Sequence, residues 1–316
     1  MRKRNADGTR ASQEALVLVY LAWPEECFRA NAKDMAYLKG LVGSGVKTKR
    51  VESEAAFLKA LACATHVVTW HFKREWYALA PRLEVLATPA AGRELVAWRA
   101  APEGVKVHFG AFHGAIMAES VAAFCLAWAR GFFRKPPATG IWPRDWLGGL
   151  CYTLDGTRAV IAGYGKVGRA IGEKLALLGV EVQGFSRANL RDLPKAARFA
   201  DWFILALPSD TGTDDFLDAK LIRKLPRRCV VVNVGRGNAI DEDALYAALK
   251  EGRIAAAYLD VFKNEPTVLN PKAASAGLWS RNTGPSPLVP MPHSSAFAPQ
   301  YVRLAFKELA DAGLLP

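Results

Sequence analysis

Short apolar runs alternate with amphipathic stretches from one end of the chain to the other. Leu16–Tyr20, His66–Trp70 and Leu83–Ala87 read as strands, and Gly45–Lys47 continues the pattern. Helices are expected over Asn31–Leu41, Ser53–Ala62 and, briefly, Glu75–Leu79. After a loop rich in Pro and Gly, Lys135–Gly149, the alternation resumes with strands Thr157–Ala162, Val180–Phe185, Trp202–Leu207, Cys229–Asn233 and Ala255–Val261. Helices Gly165–Gly179 and Asp241–Gly252 lie among them. Strands that are apolar on both faces and separated by helices predict parallel sheets covered by helices on both sides.

The fold class is therefore α/β, with two open parallel-sheet domains, and the 316 residues agree with two domains. The boundaries expected are residues 1–118 for one domain, completed by a C-terminal helix within 297–316, and 119–296 for the other. A crevice at the carboxyl ends of the strands is the default site.

Hydrophobic residues make up 51% of the chain and charged residues 23%, which excludes a disordered or fibrous protein. No apolar run reaches the roughly 20 residues of a membrane span, and the basic start Met1–Arg4 is followed by Asn5–Gly8 instead of an apolar segment. The expectations are a cytoplasmic protein with no membrane partner. Five widely spaced cysteines read as reduced core thiols, and with five scattered histidines they imply no metal. A formal charge of +12 favours anionic ligands, but the basic residues are dispersed and no aromatic ladder flanks them, so no nucleic-acid partner is expected.

Gly163-Tyr164-Gly165-Lys166-Val167-Gly168 follows an apolar strand and opens a helix. In that context the first glycine makes the turn, the second admits a pyrophosphate to the backbone, and the third lets helix and sheet approach. A dinucleotide site is predicted. At the end of the next strand, where an acidic residue would bond the ribose hydroxyls, the chain reads Ser186-Arg187. A guanidinium in place of a carboxylate favours a 2′-phosphate, hence NADP(H) in preference to NAD(H), which stays possible.

Three further segments lie at or just beyond strand ends. Arg236 follows Asn233-Val234-Gly235, Asp260 and Glu265 lie in Leu259–Pro266, and His293 follows Met291-Pro292. An Arg that holds a carboxylate and polarises a carbonyl, a His that moves a proton and a Glu that raises and orients the His, downstream of a nucleotide fold, make a candidate active site.

With Asn233–Asp241, Leu259–Phe262, Glu265-Pro266 and Pro292-His293-Ser294 in this order after the glycine motif, the chain resembles the D-isomer-specific 2-hydroxyacid dehydrogenase family. The resemblance is strongest from about Asp155 to Ala296. It implies a Rossmann-type dinucleotide-binding domain, a flavodoxin-like substrate domain and a homodimer. It also implies catalytic Arg236, Glu265 and His293, acting on a small 2-oxo or 2-hydroxy acid. The cofactor-binding set expected is Gly163, Tyr164, Gly165, Lys166, Val167, Gly168, Ser186, Arg187, Leu207, Pro208, Val234, Gly235, Arg236, Asp260, His293 and Ser295.

Ala91 and Gly92, with Arg236 and His293, are expected to hold the substrate, although Thr88–Arg93 lacks the family's usual paired glycines. Trp70, His71, Trp279 and Phe297 are candidates for substrate choice. The alternative reading is a dinucleotide-sensing or corepressor-like protein that retains the fold without significant turnover.

Overall fold

The computed structural model describes residues 14–134, 144–265 and 283–316. These fall into two compact units, residues 1–112 with 298–316 and residues 113–297. Each is described by itself.

In the first unit β1 (Leu16–Tyr20), α1 (Ala32–Leu41), β2 (Lys47–Arg50), α2 (Glu54–Leu61), β3 (His66–Thr69), β4 (Val85–Thr88) and β5 (Lys106–Phe109) form a parallel sheet ordered β2-β1-β3-β4-β5. This is the flavodoxin-like strand order. Leu18, Val67 and Leu86 from the middle strands pack with Phe57 and Leu61 of α2 and with Phe72 and Trp76. The N-terminus of α1 is closed by a capping box, in which Asn31 accepts from the Asp34 amide while Asp34 accepts from the Asn31 amide.

The second unit opens with a long helix, α3 (His113–Ala129), then α4 (Arg144–Gly148), β6 (Arg158–Ala162), α5 (Lys166–Ala176) and β7 (Glu181–Phe185). It continues through α6 (Leu193–Ala196), β8 (Trp202–Leu205), α7 (Ala219–Ile222), β9 (Val230–Asn233), α8 (Glu242–Lys250), β10 (Ala256–Leu259) and β11 (Leu288–Pro290). The chain ends in α9 (Tyr301–Asp311), which belongs to the first unit. There its Arg303 reaches the buried Asp34 carboxylate at 3.5 Å.

The sheet of the second unit is parallel and ordered β11-β10-β9-β8-β6-β7. One face carries Val160, Phe203, Leu205 and Val231 against Leu217, Ile222, Leu245 and Leu249. The other carries Ile161, Trp202, Ile204 and Val232 against Val121, Phe124, Cys125 and Trp128 of α3 and Ile171 and Leu175 of α5. Burial on both faces is what the unbroken apolar strand sequences require.

The structure corrects several boundaries. The strand expected at Gly45–Lys47 lies further on, at Lys47–Arg50, and is largely exposed and basic because it is an edge strand. The second unit begins with its long helix at His113, and the first unit runs to Phe112, where 118 had been expected. The segment Glu75–Leu79 is a tight 3-10 turn. Of the five cysteines, Cys125 and Cys229 are core thiols, whereas Cys63 is exposed and Cys27 and Cys151 are half-buried. Among the described residues no helix is long and apolar enough to cross a membrane.

Candidate active site

The glycine turn caps the carboxyl end of β6. Gly163 has φ +94°, and a Cβ there would lie 2.5 Å from the Ala206 carbonyl oxygen, so only glycine fits. Its amide and that of Tyr164 both donate to the Phe185 carbonyl at 2.9 Å, tying the turn to β7. Gly168 lies against the turn itself, where a Cβ would be 2.1 Å from the Gly163 oxygen, and this draws α5 onto the sheet.

Gly165 is different. Nothing lies within 4 Å of where its Cβ would be, and as the N-cap of α5 it brings no side chain to the first amides of the helix. The amides of Lys166, Val167 and Gly168 therefore face an open cradle at the positive end of an 11-residue helix. That geometry fits the pyrophosphate of a dinucleotide. The Tyr164 ring lies over Gly184 of β7 and reaches Gly172 of α5, so this residue offers the cradle backbone only.

Ser186 and Arg187 follow β7, both exposed. The Ser186 amide donates to Asn189 Oδ1 at 2.7 Å, and Arg187 Nη2 donates to Asp210 Oδ2 at 2.7 Å. Leu207 and Pro208 follow β8, and Val234 and Gly235 follow β9, with the Val234 amide donating to the Leu205 carbonyl at 3.0 Å.

The ends of β9, β10 and β11 carry the polar cluster. Asn233 is buried at the end of β9. Its side-chain oxygen accepts from the Gly235 amide and its side-chain nitrogen donates to the Arg236 carbonyl, at 3.0 and 3.1 Å. This turn presents Arg236, whose Nη1 donates to the Gly235 carbonyl at 2.9 Å.

Asp260, 1% exposed, follows β10. Its carboxylate accepts from the Ser294 amide at 2.8 Å, from the Ser295 amide at 3.1 Å and from the Ser295 hydroxyl, while its carbonyl accepts from the His293 amide at 2.9 Å. The loop after β11 is thus folded around one buried carboxylate, and His293 is held in the left-handed region with φ +53°.

Glu265 turns back on its own strand end. Oε1 accepts from the Phe262 amide at 2.7 Å, and Oε2 lies 2.8 Å from His293 Nδ1. Hydrogen bonding to Glu265 raises the His293 pKa above the ordinary imidazole range. Desolvation opposes it, the charges of Glu265 and Asp260 support it, and that of Arg236 lowers it. Nδ1 is committed to the carboxylate, which leaves Nε2 as the ring atom that could exchange a proton with a ligand.

The expected catalytic three, Arg236, Glu265 and His293, therefore lie together in the second unit with Asp260 and Ser295. Asp260 had been expected to contact the cofactor, but both its carboxylate oxygens are occupied by the His293 loop. Ala91 and Gly92 belong to the first unit, just beyond β4, where the Ala90 amide donates to the Thr88 hydroxyl at 3.2 Å. Trp70 is a packing residue. It lies against Phe28 and Tyr301, and its indole nitrogen donates to the Phe28 carbonyl at 3.1 Å. Trp279 lies outside the described residues. Asp210 had not been singled out, since its pairing with Arg187 joins the ends of two strands that are not adjacent in the sheet.

The pair makes a directional prediction. In Glu265→Gln the hydrogen-bond geometry can persist while the negative charge that favours the imidazolium is lost, so the His293 pKa falls relative to the parent. Imidazole-resolved NMR titration of the parent and the variant should show that downward shift, and an unmoved His293 titration would contradict the assigned pairing.

A family model, D-isomer specific 2-hydroxyacid dehydrogenase, NAD binding domain, matches residues 123–293, just over half of the chain. A 2-ketogluconate reductase of Gluconobacter oxydans (strain 621H) is 35% identical over 163 residues, which cover 46% of this chain and 52% of the relative. The match thus spans about half the length of that curated relative. A glyoxylate reductase of Korarchaeum cryptofilum (strain OPF8) is 28% identical over 240 residues, covering 66% and 71%.

Among solved structures, the NAD-complexed D-isomer specific 2-hydroxyacid dehydrogenase of Lactobacillus delbrueckii ssp. bulgaricus has a similar fold. Its TM-score is 0.73 over 96% of this chain and 98% of that one, at 16% identity. The chain belongs to the D-isomer specific 2-hydroxyacid dehydrogenase family, and its second unit carries the family's NAD binding domain.

Proposed function

We propose that this protein is a reductase that transfers hydride reversibly between NADP(H) and a small 2-oxo or D-2-hydroxy acid. The observation that carries the reading is the 2.8 Å pair of Glu265 and His293, beside Arg236 and in the same unit as the open glycine cradle. A nicotinamide dinucleotide, when bound, supplies or accepts the hydride.

The chain's own groups do the rest. The amides of Lys166, Val167 and Gly168 hold the pyrophosphate, and Arg187 meets the 2′-phosphate that distinguishes NADP(H). Arg236 binds the substrate carboxylate and the carbonyl oxygen, so it acts both in the ground state and as charge develops on that oxygen. His293 enters reduction as imidazolium and gives its Nε2 proton to the forming alkoxide, while Glu265 stabilises the cation and fixes the ring through Nδ1. In oxidation the same His293 nitrogen takes the hydroxyl proton.

We also assign a homodimer to the family surface at the C-terminal end of α3. Phe132 is 79% exposed there, and Leu126, Phe133 and Tyr152 are exposed beside it. An apolar cluster of this kind supports a contact with a second copy.

Three experiments test the reading. A panel of 2-oxo acids assayed with NADPH and NADH should show turnover that is faster with NADPH. His293→Ala should lower kcat for reduction by roughly 10²- to 10⁴-fold with nucleotide affinity nearly intact. Nucleotide binding without turnover on any substrate would instead favour a dinucleotide-sensing protein. Light scattering after gel filtration should give a dimer for the parent and a dissociated Phe132→Asp, and a monomeric parent would remove the assignment of that surface.

A further inference from the structure

The ion pair between Arg187 and Asp210 has an unusual placement. Its partners follow β7 and β8, which flank β6 on opposite sides. A link between those two loops crosses the mouth of β6, where the glycine turn begins. It stands on the side of the cradle where the strand-end residue after β7 meets the adenosine ribose.

The two partners are not held alike. Asp210 is fixed. Its Oδ1 accepts from the Gly212 amide at 2.9 Å, and its backbone is folded around the buried Thr213, whose hydroxyl donates to the Pro208 and Asp210 carbonyls at 2.8 Å. Arg187 is 88% exposed along its side chain and reaches Asp210 with one guanidinium nitrogen. An exposed pair of this kind is weak and easily exchanged, so the carboxylate is the post and the guanidinium the movable arm.

We infer that Asp210 is a second determinant of cofactor choice, set against Arg187. It supplies from β8 the carboxylate that the end of β7 lacks. A 2′-phosphate must displace it from the guanidinium and then tolerate its like charge close by. An unphosphorylated ribose meets no such opposition. The site is thereby tuned to accept both cofactors with a restrained preference for the phosphorylated one. The inference rests on the dinucleotide reading above and goes beyond it in assigning the restraint to one residue outside the catalytic cluster.

Calorimetric titration of the parent, Asp210→Asn and Arg187→Ala with adenosine 2′,5′-bisphosphate and with 5′-AMP tests it without turnover. Asn keeps Oδ1 as acceptor for the Gly212 amide and removes only the charge. Asp210→Asn should bind the bisphosphate roughly three- to tenfold more tightly than the parent and 5′-AMP within about twofold of it. Arg187→Ala should weaken the bisphosphate selectively, and adding Asp210→Asn to it should give a smaller gain than in the parent. Bisphosphate binding that is unchanged or weaker in Asp210→Asn would overturn the inference while leaving the nucleotide site intact. A parent that binds neither ligand would overturn the dinucleotide reading and the inference with it. If Asp210→Asn loses its cooperative thermal transition, Asp210→Ser, which also removes the charge, carries the same expectations.

Discussion

A carboxylate buried to 1% exposure must find donors, and Asp260 finds them all on one loop. The amides of Ser294 and Ser295 and the Ser295 hydroxyl converge on it, and its own backbone joins β9 through Asn233 and the loop after β11 through His293. Three neighbouring parallel strands thus end in loops that are mutually determined. Removing the carboxylate would leave several buried donors without an acceptor and release the residue whose left-handed backbone places the imidazole beside Glu265.

The electrostatics of His293 are a balance. Glu265 and Asp260 favour the imidazolium, while burial and Arg236 oppose it. In the proposed reaction this opposition is conditional, because a substrate carboxylate on Arg236 cancels the positive field that disfavours the protonated ring. Substrate binding then promotes the protonation state that reduction needs, through charges already in place. Farther along the same carboxyl edge of the sheet, beyond β8, the glycine turn uses backbone alone, with helix amides aimed into an open cradle.

The sequence was most legible where residues are buried on both faces. β1, β3, β6 and β9 stand within a residue or so of the apolar runs that announce them, and Gly163–Gly168 falls between β6 and α5. The strands that were misplaced or not recognised, β2, β5 and β11, are edge strands of their sheets. An edge strand covered on fewer sides keeps little hydrophobic signal, and β2 reads Lys-Thr-Lys-Arg. Within the candidate site the residue types and the pairing of Glu265 with His293 were visible, but the other contacts were not. Tyr164 turns its ring onto Gly184, Asp260 spends its carboxylate on the His293 loop, and Asp210 reaches Arg187 across an intervening strand. Such contacts depend on strand order, which no local pattern encodes.

The central claim is direct transfer of hydride to the carbonyl carbon of a 2-oxo acid, with the proton coming from the His293 side. Incubation of the protein with glyoxylate or hydroxypyruvate and NADPH deuterated at C4 of the nicotinamide, on the face transferred, followed by mass spectrometry of the product, tests it most directly. The account predicts one deuterium at C2 of the 2-hydroxy acid, retained in ordinary water. Product without the label, or label lost to solvent in step with turnover, would contradict it.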